Sequence, residues 1–327
     1  MTGLEDKNKM KPLRIGTRGS ALALWQANYV RSSLAELHGV ESELVRIRTS
    51  GDHLQTASVA HLSAQLNAQF NSKGIFIKEL EDALLTDAVD LAVHSMKDVP
   101  TETPEGLAFP AITKREDVRD CLISQKNLTL KNLPPSARVG TSSLRRQALL
   151  RLARPDLVFV DLRGNVDTRM KKLAAGELDA IVLAKAGLDR LGFSDKITEV
   201  FSASTMLPAA GQGALGIESR AKDHETSKLV SALDDPETRN CVTAERALLR
   251  QLEGGCQVPL GAWARMENGE LMLDACVLSP DGKEHLRRGL AGSASDAEAL
   301  GKQLAQIMIR AGADRILQLA GRSASHG

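Results

Sequence analysis

LRIGTRGSALALWQANYVRSSLAELHGVESELVRIRTSG, Leu13 to Gly51, is the stretch that sets the architecture. Leu13–Thr17 reads as a short strand ending at Gly16. From Ser20 the apolar residues recur at helical spacing until Gly39 stops them. Glu41 to Gly51 then alternates as a second strand. Strand, helix, strand is the opening of an α/β unit. Downstream, FIKELEDALLTDAV reads as a helix and DLAVHS as a strand. After the turn-like PTETPEG (Pro100 to Gly106) the grammar repeats. ARVGTS ends a strand, SLRRQALLRLA makes a helix and LVFVDLRG a strand. TRMKKLAAG and LDAIVLA add another helix and strand. The similarity is one of element order, with no residue-by-residue repeat. Beyond Gly216 a strong helix is expected over DPETRNCVTAERALLRQL, opened by Asp234 or Asp235 with Pro236. A hairpin follows over GELMLDACVLSPDGK, turning at Pro280, Asp281 and Gly282. A last helix breaks near Gly312. The third region therefore reads as a separate small α+β domain. Asp52 to Ser72 has no strong period and reads as a mobile loop.

Composition narrows the class. The 327 residues are enough for two or three domains. A net charge of +1 gives weak long-range attraction to polyanions, so an acidic ligand must be held by local clusters of Arg and Lys. Aromatics are 3%, too few for a nucleic-acid stacking platform. The polar start MTGLEDKNKMKP shows no signal peptide, and no apolar run is long enough for a membrane span, which points to the cytoplasm. Four cysteines, none in a C-x-x-C pair, suit neither a zinc site nor a disulfide scaffold, so free thiols and no metal are expected.

Three strand ends carry polar residues that a core does not need. They are Thr17, Arg18 and Ser20; Ser95, Lys97 and Asp98; and Thr141, Ser142, Ser143, Arg145 and Arg146. In open α/β sheets ligands sit beyond the carboxyl ends of strands, where helix N-termini also offer free N–H groups. GTSSLRR is thus anion-binding grammar; the plainer reading is a helix cap with two solvated arginines. LRGNVDTR adds Arg163 and Arg169, and AGLDRLG adds Arg190. Guanidinium forks bind carboxylate or phosphate in pairs. Asp98, a carboxylate amid these cations, is placed to offset positive charge on a substrate or to assist proton transfer. Its plainer reading is a surface pair with Lys97.

Cys256 follows two glycines and precedes Pro259 in EGGCQVPLG, a tight exposed loop where a thiol is a nucleophile, an attachment point or simply a turn residue. Cys121, Cys241 and Cys276 read as core. Gly211, Gly213 and Gly216 spell G-x-G-x-x-G, but no strand precedes them and no clear helix follows, so a dinucleotide site and a nicotinamide oxidoreductase are rejected. The segment reads as a crossing between domains, with Gln212 facing the cleft.

Together IGTRGSALALWQ, VHSMKDVP, VGTSSLRRQ, LRGNVDTR, LPAAGQGALGIE, TAERALL and LEGGCQVPLG, in that order from Leu13 to Leu319, closely resemble the porphobilinogen deaminase (hydroxymethylbilane synthase) family. The resemblance implies two lobes like those of solute-binding proteins flanking a cleft, plus a small α+β C-terminal domain. The expected domains are 12–113 with 214–232, 114–213, and 233–321. It implies a monomeric transferase that joins four porphobilinogen units on a dipyrromethane primer held by a thioether to Cys256. Loss of ammonia leaves an azafulvene, the free α carbon of the terminal pyrrole attacks it, and water finally releases linear hydroxymethylbilane.

By motif, Asp98, Lys97 and Arg18 match the catalytic set. Ser95, Thr141, Ser143, Arg145, Arg146, Arg169 and Arg190 match the cofactor-holding set. Ser20, Gln26, Phe76, Arg163, Arg169 and Gln212 match the substrate-binding set. Lys73 matches a lid lysine, whereas Gln69 stands where a second one is common. The segment from Asp52 to Ser72 also runs longer than usual in the family, so a modest loss of substrate affinity is expected. The rival readings are a non-catalytic small-anion-binding protein, opposed by Cys256, Asp98 and the third domain, and a nucleic-acid binder, opposed by charge and aromatic content.

Overall fold

The computed structural model describes residues 11–48, 77–252 and 258–324. β1 (Leu13–Thr17) leads to α1 (Ala21–His38), capped by the Ser20 hydroxyl accepting from the Ala23 N–H and closed by Gly39 in the left-handed region. Its buried residues Gln26, Ala27, Val30 and Leu34 fall on one face. β2 (Ser42–Arg46), α2 (Lys78–Leu85), β3 (Leu91–Ser95) and β4 (Leu107–Ile112) complete the first run.

The chain then enters a second lobe. This contains β5 (Asp120–Ser124), β6 (Arg138–Gly140), α3 (Leu144–Ala153), β7 (Val158–Val160) and α4 (Val166–Ala174), then β8 (Ala180–Ala184), α5 (Lys185–Arg190) and β9 (Glu199–Val200). β10 (Leu215–Arg220) returns to the first sheet.

The two sheets share one plan. Their strand orders are β2-β1-β3-β10-β4 and β7-β6-β8-β5-β9. In each, the first three strands are parallel and the fourth is antiparallel to both its neighbours. In each, that antiparallel fourth strand is the one that follows a crossing. The repeated element order read from the sequence is therefore a repeat of sheet topology. The apolar run around Cys121 reads as strand-like and forms β5, whereas β4, β9 and β10 carry no clear strand pattern. Pro110 breaks the β4 pattern and is tolerated because β4 is an edge strand. β5 opens on a carboxylate, and β9 is only two residues long.

α6 (His224–Val230) follows β10, and α7 (Pro236–Gln251) begins the third domain. The cap of α7 is Asp235, whose carboxylate accepts from the Thr238 N–H at 2.8 Å, with Pro236 opening the helix. β11 (Leu260–Glu267), β12 (Glu270–Leu278) and β13 (His285–Gly292) form an antiparallel meander. α7, α8 (Ala297–Arg310) and α9 (Ala313–Ala324) pack on it around Leu248, Leu271, Leu273, Leu300, Leu304 and Met308.

The glycine-rich segment is the return crossing. A strand, β10, follows it, not a phosphate-binding helix. Gly213 has φ +92°, and a Cβ there would lie 2.5 Å from the Glu116 carbonyl oxygen on the outgoing crossing. Only glycine lets the two crossing strands touch in this way.

Candidate active site

β3 ends in one 3₁₀ turn, Met96–Asp98. Met96 and Val99 are buried in one apolar cluster with Ile112, Ala214 and Val242, and the Met96 N–H donates to the Ala214 carbonyl at 3.0 Å. With both flanking residues anchored, Lys97 is left half-buried and Asp98 exposed. The third domain braces the next residues. Arg246 donates to the carbonyls of Val99 (3.1 Å) and Pro100 (2.6 Å), and Arg250 to that of Thr101 (2.8 Å). Gln26 donates to the Ser95 hydroxyl at 2.9 Å, tying α1 to the end of β3.

The second lobe brings its own cations. Arg145 and Arg146 are not the solvated pair of the plainer reading: they are 4% and 6% exposed. Both pair with the fully buried Asp120, at 2.8 and 2.7 Å. Arg145 also donates to the Leu207 carbonyl and Arg146 to that of Val182. Burial works against the charge on Asp120, but the two guanidiniums outweigh it and hold its carboxyl well below the usual range. Gln212, read as facing the cleft, is instead 1% exposed and donates to Asp120 and to the Val118 carbonyl. Ser143 caps α3 and Ser142 accepts from the Leu162 N–H. Thr141 is buried, its hydroxyl accepting from the Ser143 N–H and its carbonyl from Gln147.

Arg146 and Arg169 of the second lobe lie close enough to Lys97 of the first for their charges to act on it. Burial, with the charges of Arg146 and Arg169, pushes the Lys97 ammonium down to about 8 despite Asp98 and Asp120. Burial and Arg146 likewise push Arg169 down to about 10, against the pull of Asp98. Arg169 donates to the Gly164 carbonyl at 2.8 Å. The Nε atoms of Arg146 and Arg190 are buried without a hydrogen-bond partner. This patch carries more positive charge than its own acids offset, so an anion arriving there is stabilised.

Arg18 is half-buried beyond β1, beside the cap residue Ser20. Arg163 stands apart, its side chain 76% exposed and paired with Asp161 at 2.9 Å. Cys256, Phe76, Lys73 and Gln69 lie outside the described residues. The other three thiols are buried, and burial pushes Cys121 and Cys241 up to about 12 and Cys276 up to about 11, which fits packing and not nucleophilic work. Sequence reasoning missed Asp120, the acid that ends the polar run REDVRD; two arginines with no local partner were the signal that such an acid had to exist.

The depressed Lys97 gives a pH prediction. Its folded value lies below the ordinary 10.5, so the ammonium is lost as pH rises through about 8. kcat/KM for an acidic substrate is expected to fall on that alkaline limb. Lys97→Arg, which stays charged, is expected to flatten it, as a pH–rate profile will show.

Two α/β lobes joined by a pair of crossings, with the exposed Asp98 among buried and half-buried cations and a third domain braced behind it, form a site suited to an anionic ligand. The chain belongs to the porphobilinogen deaminase family. The profile "Porphobilinogen deaminase, dipyromethane cofactor binding domain" matches residues 13–228, and "Porphobilinogen deaminase, C-terminal domain" matches 239–310. The porphobilinogen deaminase of Trichlorobacter lovleyi is 50% identical over 309 residues, covering 94% of this chain and 96% of its own. That of Geobacter sulfurreducens is 48% identical over 306 residues, 93% of each. Among solved structures, the methionine-binding protein MetQ aligns with TM-score 0.44 at 12% identity, covering 68% of this chain and 89% of its own. An ABC-transporter substrate-binding protein from Coxiella burnetii aligns at 0.42 and 15%, covering 72% and 96%. Among the described residues no helix is long and apolar enough to cross a membrane, and no group of three or more His, Cys, Asp or Glu is placed to hold a metal.

Proposed function

We propose that Asp98 is the catalytic carboxylate of a hydroxymethylbilane synthase and that the surrounding cations hold the acetate and propionate groups of its substrate and primer. The chain is a transferase of tetrapyrrole and haem biosynthesis that acts on porphobilinogen with a dipyrromethane cofactor. The observation that carries the residue assignment is the excess of positive charge beside the exposed Asp98: Arg146 is buried, Lys97 and Arg169 are half-buried and pushed down by desolvation and by neighbouring cations, and the Nε atoms of Arg146 and Arg190 have no hydrogen-bond partner. Such a patch fits a cofactor that bears several carboxylates.

When bound, the dipyrromethane supplies the nucleophilic pyrrole carbon and keeps the growing chain tethered. Arg169, with Lys97, would hold it, Arg190 would take the acids of units added later, and Cys256 would attach it. Asp98 accepts hydrogen bonds from pyrrole N–H groups and offsets the positive charge that develops as ammonia leaves. Arg18, Ser20 and Arg163 serve the incoming substrate. Arg145, Gln26 and Gln212 act from behind, fixing the strand ends. Arg146 does both, since one edge of its guanidinium is committed to Asp120 and Val182 and its Nε is not. The reading includes domains 12–113 with 214–232, 114–213 and 233–321, and a cytoplasmic monomer, both carried from the family.

Intact-protein mass spectrometry is expected to find two pyrrole units on the purified chain, with peptide mapping placing them on Cys256. A bare thiol on active enzyme overturns the attachment. The reading as a non-catalytic anion binder is disfavoured, because a binder gains nothing from an exposed carboxylate among the cations that hold its ligand.

A further inference from the structure

The two lobes meet at a second place besides the crossings. α1 of the first lobe packs on α5 of the second. Leu22 lies 3.7 Å from where a Cβ on Gly187 would sit. One turn along, Trp25 stacks on Tyr29, with centroids 5.7 Å apart and planes 3° from parallel. Arg190, the last residue of α5, sets its guanidinium 5.6 Å from the Trp25 ring centroid. The same guanidinium donates from Nη2 to the carbonyl of Gly213, on the return crossing, at 2.8 Å. Its Nε is buried and unpartnered. One second-lobe side chain thus holds a first-lobe ring and the return crossing at once, and its own hydrogen-bonding capacity is not filled.

We propose that Trp25 and Arg190 form an interlobe latch, opened when a carboxylate of the lengthening substrate chain draws Arg190 off the ring. The proposal rests on the functional reading above and deepens it, because it makes the lobe opening respond to how many acidic units the cleft holds. A cation over a ring is a weak, reversible contact, whereas a desolvated guanidinium–carboxylate pair is stronger and bidentate. The carboxylate therefore wins when it arrives, and the ring recovers Arg190 when the product leaves.

Small-angle scattering on the full-length protein reads the opening, and mass spectrometry after a short pulse of porphobilinogen reads the number of units carried. Trp25→Leu is expected to show, before any substrate is added, the larger radius of gyration that the parent protein reaches only after the pulse. Its longest adducts are expected to rise about fivefold relative to the shortest, the ratio set by one cation–π contact. Trp25→Phe, which keeps a ring, is expected to stay within about twofold of the parent. Arg190→Gln removes the other half of the contact, must widen the protein likewise, and decides the matter if Trp25→Leu does not fold. An unchanged radius in the folded variants overturns the latch. A parent protein that gains no mass units overturns the enzymatic reading instead, and the radii still decide the latch.

Discussion

Asp98→Asn is expected to lose turnover by about 10²–10⁴-fold, the usual worth of a positioned acid–base group, while the protein folds and carries its two-pyrrole adduct. The side chain is exposed and its turn is held by Met96 and Val99 on either side, so stability is expected to change by no more than about 0.5 kcal/mol. Asparagine keeps the size and one hydrogen-bond acceptor but not the negative charge. If the charge does the work, KM moves little, kcat collapses and substrate still binds. Near-normal turnover in a folded, adduct-bearing Asp98→Asn protein would remove Asp98 from the mechanism. Single-turnover kinetics with mass detection separates that outcome from a failure to load.

Glu245→Ala is expected to be the most damaging change to the fold, at about 3–5 kcal/mol by urea unfolding. Glu245, on α7, is fully buried. Its Oε1 accepts from Arg115 at 2.7 Å and from the Ala264 N–H at 2.7 Å, and its Oε2 accepts from Arg115 at 3.0 Å and from the Gly211 N–H at 2.6 Å. Arg115 lies on the outgoing crossing, Gly211 on the return crossing and Ala264 in the third-domain sheet. Arg115 also donates to the Gln212 carbonyl. One carboxylate therefore ties both crossings to the third domain. Its removal strips the largely buried Arg115 guanidinium of its counter-charge and leaves two buried amides unmet. Arg115→Met/Glu245→Met should recover only part of the loss, because the amides stay orphaned. A midpoint unchanged by Glu245→Ala would show that the three parts hold together without this junction.

The sequence made the two α/β lobes legible through their strand–helix alternation and their caps. Ser20, Gly39, Asp235 and Pro236 are local signals, each sufficient within a few residues. β11 escaped because LGAWARME follows a proline-bearing loop and pairs only with what comes later. At the site, the residue types were legible and their division of labour was not. Arg145 and Arg146 are adjacent in sequence and look alike. Which guanidinium atoms are free depends on Asp120, more than twenty residues away and visible only after folding. Gln212 reads as a polar residue in a flexible glycine run, yet that run is clamped between buried partners. Hydrogen bonds across such sequence distances leave no periodic trace.

β10 sits between β3 and β4 in the first sheet but is made after the whole second lobe. During vectorial synthesis the ribosome delivers β3 and β4 about a hundred residues before the strand that joins them. The second lobe, whose strands are contiguous, can close while the first still exposes two bare edges. The nascent chain therefore passes through a stage of half-finished sheet, the stage at which an exposed edge invites the wrong neighbour.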